Sequence, residues 1–282
     1  NNFEYSGWQH YINLCDFAFT FCSDGQSASI RSGVDIPVYV VPQSINSKYY
    51  EEKREVIDFG NSDFKFLFVG DISQRKNLPA LIRAFHSEFD SNEDVSLILK
   101  VNSPGYSSNE INQYIKGLTD KIKKDLRIYP NEQYYKPEIV ISDFITTEQM
   151  KDLYYSVDCV VSPSMFEGWG YSVMDAVGFG KYPICTDCGG HRSLVDGRTG
   201  KLVKSSTSPC TGEHNTFPGL FTGKSTWESI DILSLMSEMR LAYNKLRNNQ
   251  FKKEVSESSK EKISQFSYEQ TGERILNLLE KK

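Results

Sequence analysis

From residue 64 onward the chain alternates short apolar runs with longer amphipathic ones, and few folds accept that rhythm. The apolar runs are Phe64–Val69, Val95–Val101, Glu138–Ile141, Cys159–Val161 and Tyr182–Cys185. Helical periodicity fills the intervals: Leu78–Phe89, Asn109–Leu126, Thr147–Val157 and Ser172–Gly178. Short apolar strands rich in Val, Ile and Phe, separated by amphipathic helices, argue for a parallel sheet covered on both faces. The expected architecture is therefore α/β: a Rossmann-like parallel sheet with helices on both faces. Leu78, Leu81, Ile82, Phe85 and Phe89 share one helical face. Asn77 is the expected N-cap of that helix, and Pro79 falls in its first turn, where the missing N–H removes no bond. In open sheets of this kind ligands bind beyond the carboxyl ends of the strands.

Ahead of this series the signals are shorter. Cys15–Phe21 reads as a strand, Ser27–Ser32 as a short helix, and Val38–Val41 as a strand closed by Pro42. Residues 46–61 are polar and charged and read as a linker, which puts a domain boundary near residue 60. Downstream, Ser205–Ser225 is rich in Ser, Thr, Gly and Pro, carries Cys210 and His214, and reads as a long loop, either functional or disordered. Trp227–Leu246 and Val255–Lys282 are helical in period.

With 282 residues, 39% of them hydrophobic and 13% aromatic, the chain can build a substantial core. A formal charge of −5 argues against nucleic-acid binding through a general basic field. No apolar run approaches the ~18–20 residues that span a bilayer. The start lacks a basic segment followed by an apolar one, but the first residue is Asn rather than Met, so a fragment or a lost leader stays open. Six scattered cysteines fit reduced thiols and a cytoplasmic location. Cys185 and Cys188 have C-x-x-C spacing without a second pair, which favours thiols at a strand end over zinc or redox chemistry. Lys121, Lys123, Lys124 and Arg127 read as a solvated helix face, with peripheral membrane contact as the alternative.

The most informative stretch is Ser162–Gly180. The strand ends at Ser162 and Pro163, Gly168 and Gly170 make a loop, and a helix begins near Tyr171 or Ser172. Such a turn aims free backbone N–H groups at one spot and favours an anion such as a diphosphate. Two carboxylates, Glu167 and Asp175, flank the turn eight residues apart, so that both can face a ligand at the helix mouth. Carboxylates accept from sugar hydroxyls, so the set suits a nucleotide sugar. A generic strand–turn–helix with surface acids would use the same letters.

The segment resembles the Glu-x7-Glu motif of retaining glycosyltransferases of GT-B type, family 4 (glycosyl transferases group 1), and chiefly their C-terminal, nucleotide-sugar-binding domain. Here the second acid is Asp175, one methylene shorter. Phe68-Val-Gly-Asp-Ile-Ser-Gln-Arg-Lys-Asn77 is similar to the family's first strand and loop, which implies that Lys76, with Arg75 and Gly70 beside it, grips the donor diphosphate; Asp71 stands where many members carry an Arg. Val140–Ile145 resembles the strand flanking the base, near Phe144 and Ile145, and Cys188–Val203 the Gly-Gly loop, with Gly189 and Gly190 approaching the sugar-phosphate; Ser193 stands where many members carry an acid, and His191 reads as an exposed loop residue. The implied donor site adds Gly168, Trp169, Gly170, Tyr171, Ser172 and Asp175 to Glu167, with no metal and no cofactor beyond the donor itself. The implied domains are residues 1–60 (the end of an acceptor-side domain, with linker), 61–265 (donor domain) and 266–282 (a helix crossing back). The implied activity is transfer of a hexose, from a GDP-mannose or UDP-glucose type of donor, to a hydroxyl of a carbohydrate or glycoconjugate acceptor. A sugar-nucleotide epimerase or phosphorylase on the same architecture, and a non-catalytic nucleotide-sugar-binding half-molecule, are the rival readings.

Overall fold

The computed structural model describes residues 6–60, 64–211 and 223–280. Helix α1 (Trp8–Ile12) leads into β1 (Ala18–Thr20), α2 (Ser23–Arg31) and β2 (Val38–Val40), and the two strands pair in parallel. A segment with one 3-10 turn, Ser47–Tyr50, then runs to the main sheet. That sheet comprises β3 (Phe64–Gly70), β4 (Val95–Val101), β5 (Ile139–Ile141), β6 (Cys159–Ser162), β7 (Tyr182–Thr186) and β8 (Lys201–Val203). Its order is β5-β4-β3-β6-β7-β8, and every pairing is parallel. The connecting helices are α3 (Leu78–Glu88), α4 (Ser108–Leu126), α5 (Thr147–Tyr155), α6 (Tyr171–Gly178) and α7 (His191–Leu194).

The expected two-sided burial is present and has its cause in β3. Phe64, Phe66 and Phe68 enter one core layer with α3, while Leu67 enters the opposite layer with Leu153, Tyr154 and Val160. Phe66 packs edge-on to Phe64 at 4.9 Å and against Phe89 at 5.5 Å. Each large apolar side chain removed from water contributes about 1.5–3 kcal/mol, so these rings fix the α3–sheet contact. Helices α4 and α5 both start in reciprocal capping boxes, Ser107 with Glu110 and Thr146 with Gln149. Asn77 departs from expectation. It takes a left-handed conformation at φ 52° and its side chain does not cap α3, although Pro79 does sit in the first turn.

Two further expectations are corrected. Ser205–Pro209 forms β9 and Thr226–Ile230 forms β10, an antiparallel pair in which Ser205 faces Ile230. Trp227 is therefore in a strand, and the helix α8 starts only at Ile232 and runs to Lys245. Serine and threonine hide a strand from apolar periodicity; here they bond across it, Ser205 and Thr207 donating to Glu228 at 2.9 and 3.0 Å. Cys210 is buried beside this hairpin, whereas His214 lies outside the described residues. The basic face on α4 is also broken. Lys123 is buried and pairs through Nζ with Glu138 at 3.0 Å, and Glu138 also meets the buried His86. Only Lys121, Lys124 and Arg127 of that set face solvent.

The remaining helices are α9 (Asn249–Ser264) and α10 (Tyr268–Glu280). Ile45 donates its N–H to the Phe266 carbonyl at 2.8 Å just before α10 begins, tying the chain's end to the segment after β2. The described cysteines are all free thiols, with Cys15 exposed and the other five buried. Burial pushes the thiols of Cys159 and Cys185 well up and that of Cys188 up to about 12, so they are packing groups rather than nucleophiles. Among the described residues no helix is long and apolar enough to cross a membrane.

Candidate functional site

The sheet order reverses between β3 and β6. From β3 the chain moves outward to β4 and β5, then returns to place β6 on the other side of β3. The loops after β3 and β6 therefore diverge around one crevice at the carboxyl edge, where such sheets bind ligands. One loop carries Arg75 and Lys76 in a short 3-10 turn; the other carries Glu167.

The three side chains meet. Glu167 Oε1 accepts from Lys76 Nζ at 2.6 Å and from Arg75 Nη1 at 2.8 Å, and Arg75 Nη1 also donates to the Phe166 carbonyl at 3.0 Å. The side chains are only 12% exposed for Glu167 and 15% for Lys76. Burial alone would raise the Glu167 carboxyl; the charges of Lys76 and then Arg75 outweigh it and hold the group below the ordinary carboxylate range. Two cations thus converge on one largely buried carboxylate at the crevice.

The Glu167 loop is clamped on three sides by backbone bonds. Met165 N–H donates to the Arg75 carbonyl at 2.8 Å, Glu228 N–H of β10 donates to the Met165 carbonyl at 2.9 Å, and Gly190 N–H donates to the Glu167 carbonyl at 3.0 Å. The hairpin overlooked in the sequence thus braces the loop that carries the acid. The loop opens into α6 through Gly170 at φ 96°, where a Cβ would fall 2.8 Å from the His191 ring. Val173 and Met174 donate to the Gly170 carbonyl, whereas the N–H groups of Tyr171 and Ser172 precede the first intrahelical bond and mark the positive end of the helix. Gly168 is exposed at the lip of this loop.

Several expected donor contacts are placed differently. Trp169 is 2% exposed; its indole donates to Met174 Sδ at 3.0 Å and packs edge-on against Phe266 at 5.1 Å, so its side chain belongs to the core with Ile45 and Val173. Gly189 and Gly190 do permit a close approach, but to the protein itself: a Cβ on either would fall 2.0 Å from the Glu167 carbonyl oxygen or 2.2 Å from that of Trp169. His191 is buried rather than exposed. Its Nδ1 lies 2.9 Å from the Thr186 carbonyl, which can only accept, so Nδ1 carries the proton. Burial lowers its pKa, and the ring packs behind Gly170 at the mouth of α6.

Glu167 and Asp175 have separate partners. Asp175 accepts from the Tyr50 hydroxyl at 2.8 Å, and the Tyr50 ring lies so close over Gly178 that a Cβ there would fall 2.4 Å from it. Burial raises the Asp175 carboxyl to about 6, with the Tyr50 hydroxyl pulling the other way. Tyr50 lies in the linker beside Tyr49, and that aromatic pair is its signal in the sequence. On the other side of β3 a cavity of about 290 Å³ is lined by Tyr49, Gly70, Lys100, Asn102, Phe144 and Ile145. Phe144 is 90% exposed at its rim. A second cleft, of about 240 Å³, lies between α2 and the Glu167 loop, with Asp24, Arg31, Phe166, Gly189, Arg192 and Glu228 on its walls.

The profile of the family described as Glycosyl transferases group 1 matches residues 63–210, from the first strand of the main sheet to the end of β9. The chain belongs to that glycosyltransferase family. Glycogen synthase of Lactiplantibacillus plantarum is 28% identical over 121 residues, 43% of this chain and 24% of that protein. Glycogen synthase of Finegoldia magna is 28% identical over 131 residues, again 24% of that protein. The matched stretch is thus about a quarter of each curated relative. Among solved structures, sucrose-phosphate synthase from Thermosynechococcus elongatus superposes with a TM-score of 0.68 at 16% identity, covering 97% of this chain and 60% of that one. Anabaena HepE, solved with UDP and glucose, gives 0.66 at 16% identity, with 98% and 66% covered. These likenesses establish the GT-B type of α/β fold for this chain.

Proposed function

We propose that this glycosyltransferase binds a nucleoside diphosphate sugar across the β3–β6 crevice and transfers its hexose, with retention, to an acceptor hydroxyl. The observation that carries the reading is the meeting of Arg75, Lys76 and Glu167 in front of the α6 mouth. In this scheme the diphosphate lies between Lys76, Arg75 and the N–H groups of Tyr171 and Ser172. As the bond to the sugar breaks, negative charge grows on the diphosphate, and preorganised donors stabilise it more than they stabilise the ground state. The same two cations supply the positive field, so the scheme needs no metal. Glu167 orients the transferred sugar, Asp175 the ribose, and the cavity at Gly70 and Phe144 takes the base. The cleft against α2 is the acceptor's way in. Of the donor types expected, the UDP-sugar class has the added support that HepE was solved with UDP and with UDP-glucose.

A thermal-shift screen of nucleoside diphosphates and their sugars tests donor binding, followed by turnover assays with and without acceptor. Lys76→Met is expected to lower kcat/KM by about 10²–10³-fold, the usual loss for one donor to a developing charge. Glu167→Gln is expected to leave diphosphate binding measurable and to abolish transfer. Unchanged turnover of Lys76→Met at saturating donor would refute the assignment. Donor interconversion without acceptor would favour an epimerase, and binding without any reaction a non-catalytic module.

A further inference from the structure

Strand β4 reads Val-Ser-Leu-Ile-Leu-Lys-Val and all seven residues are buried. Six of them suit a strand covered on both faces; Lys100 does not. It is 5% exposed, near the carboxyl end of the strand, in register with Val69 on β3 and Ile141 on β5. Its Nζ donates to the Asp143 carbonyl at 3.0 Å. Among the described residues no carboxylate comes within 4.0 Å of it. Burial lowers its pKa, while the charge of Asp143 acts in the opposite sense. An ammonium has three N–H donors, and one carbonyl satisfies one of them. A cation so buried and so poorly paired is costly unless something else completes it.

The cavity it lines supplies the place. Tyr49, Gly70, Asn102, Phe144 and Ile145 share the wall with Lys100, and Gly70 is the residue against which the Lys76 stem runs, 3.4 Å from a Cβ built there. The cavity therefore continues directly from the diphosphate-gripping side chains, on the side away from Glu167. Phe144, 90% exposed, lines the same cavity as Lys100.

We propose that Lys100 reads the donor's base, donating to the oxygen at C4 of uracil or C6 of guanine and so selecting these over cytosine and adenine, which carry an amino group there. An ammonium can donate only. A ring oxygen accepts from it, whereas a ring amino group at the same place sets donors against donors and leaves both unpaired. The inference rests on the donor reading above and adds to it the chemical edge of the base.

The test uses pairs of nucleotides in which one exocyclic oxygen is replaced by an amino group and the adjacent ring N–H by an acceptor nitrogen: UDP against CDP, and inosine diphosphate against ADP. Within each pair the ribose and diphosphate are the same, so damage to the diphosphate grip weakens both alike. Dissociation constants from titration calorimetry are expected to favour the carbonyl member of at least one pair by at least about tenfold. Lys100→Met should reduce that preference to within about threefold, with folding checked by circular dichroism. Lys100→Gln, whose amide can present either its oxygen or its NH2, should narrow the preference by raising the affinity of the amino member. If the wild type binds the two members of both pairs equally, or Lys100→Met keeps the wild-type ratio, the inference is overturned while the donor reading stands. If no nucleoside diphosphate binds, both fall.

Discussion

Replacing Asp175 by Asn should make the protein more stable, and more so as the pH rises. The carboxyl sits beneath Tyr50 and near Tyr49 and Tyr154, and burial raises it from its ordinary 3.8 to about 6. In the unfolded chain it ionises near 3.8, so between the two values the folded state holds a proton that the unfolded state has lost. The sign follows: this group's burden on folding is absent below pH 3.8, grows as the pH rises, and is complete above about 6. A gap of about two units corresponds to about 3 kcal/mol. Worked through the linkage relation, the penalty is about 0.5 kcal/mol at pH 4, about 1.5 at pH 5 and about 3 above pH 7. Asn keeps an oxygen for the Tyr50 hydroxyl and cannot ionise. Urea unfolding of both proteins across this range, followed by circular dichroism, should show Asp175→Asn gaining stability in that graded way. For a chain of this size the gain near neutrality corresponds to a melting temperature higher by roughly 5–10 °C. A stability difference that stays flat from acid to neutral pH would refute the assignment of a buried, strained carboxylate. The same variant should bind donor more weakly above pH 6, since the ionised carboxylate is the better acceptor for ribose hydroxyls. A residue that destabilises the empty protein and serves the ligand is the expected trade at a binding site.

Two other substitutions probe the frame of the site. Gly170→Ala forces a side chain at φ 96° toward the His191 ring 2.8 Å away; it should lower stability by about 1–3 kcal/mol and weaken diphosphate binding, and an unaltered melting curve would contradict it. Trp169→Phe should cost about 1–2 kcal/mol by thinning the contact with Phe266 and losing the bond to Met174, while donor KM stays within about twofold. A donor KM raised tenfold at unchanged stability would put the indole back in the donor site.

The α/β class, the parallel sheet with its two-sided cover and the positions of most strands and helices were legible in the chain, because they depend on local periodicity. Phe66, Leu67 and Phe68 are apolar on consecutive residues, and a strand buried on both faces suits that. Motif order placed Lys76 and Glu167 each after a strand and ahead of a helix, but not the ion pair between them. Where the reading failed, the deciding contacts were remote in sequence. Serine-rich β9 shows no apolar period, and it is a strand because β10 lies beside it. Nor does the sequence show that Gly189 and Gly190 leave no room for a Cβ against the Glu167 and Trp169 carbonyls, more than twenty positions earlier. His191 and Trp169 are polar-tipped groups whose exposure no neighbouring residue specifies.

Sequence alone determined that strands would alternate with helices and that an acid and two cations would emerge at strand ends. Only the tertiary structure decided that β6 lies beside β3, bringing residues 75, 76 and 167 within hydrogen-bond reach, and that Tyr50 reaches across from the linker to Asp175. Periodicity is set by each residue's own environment within a few positions, whereas strand order and close approach are set by which surfaces bury one another, and that is a property of the whole chain.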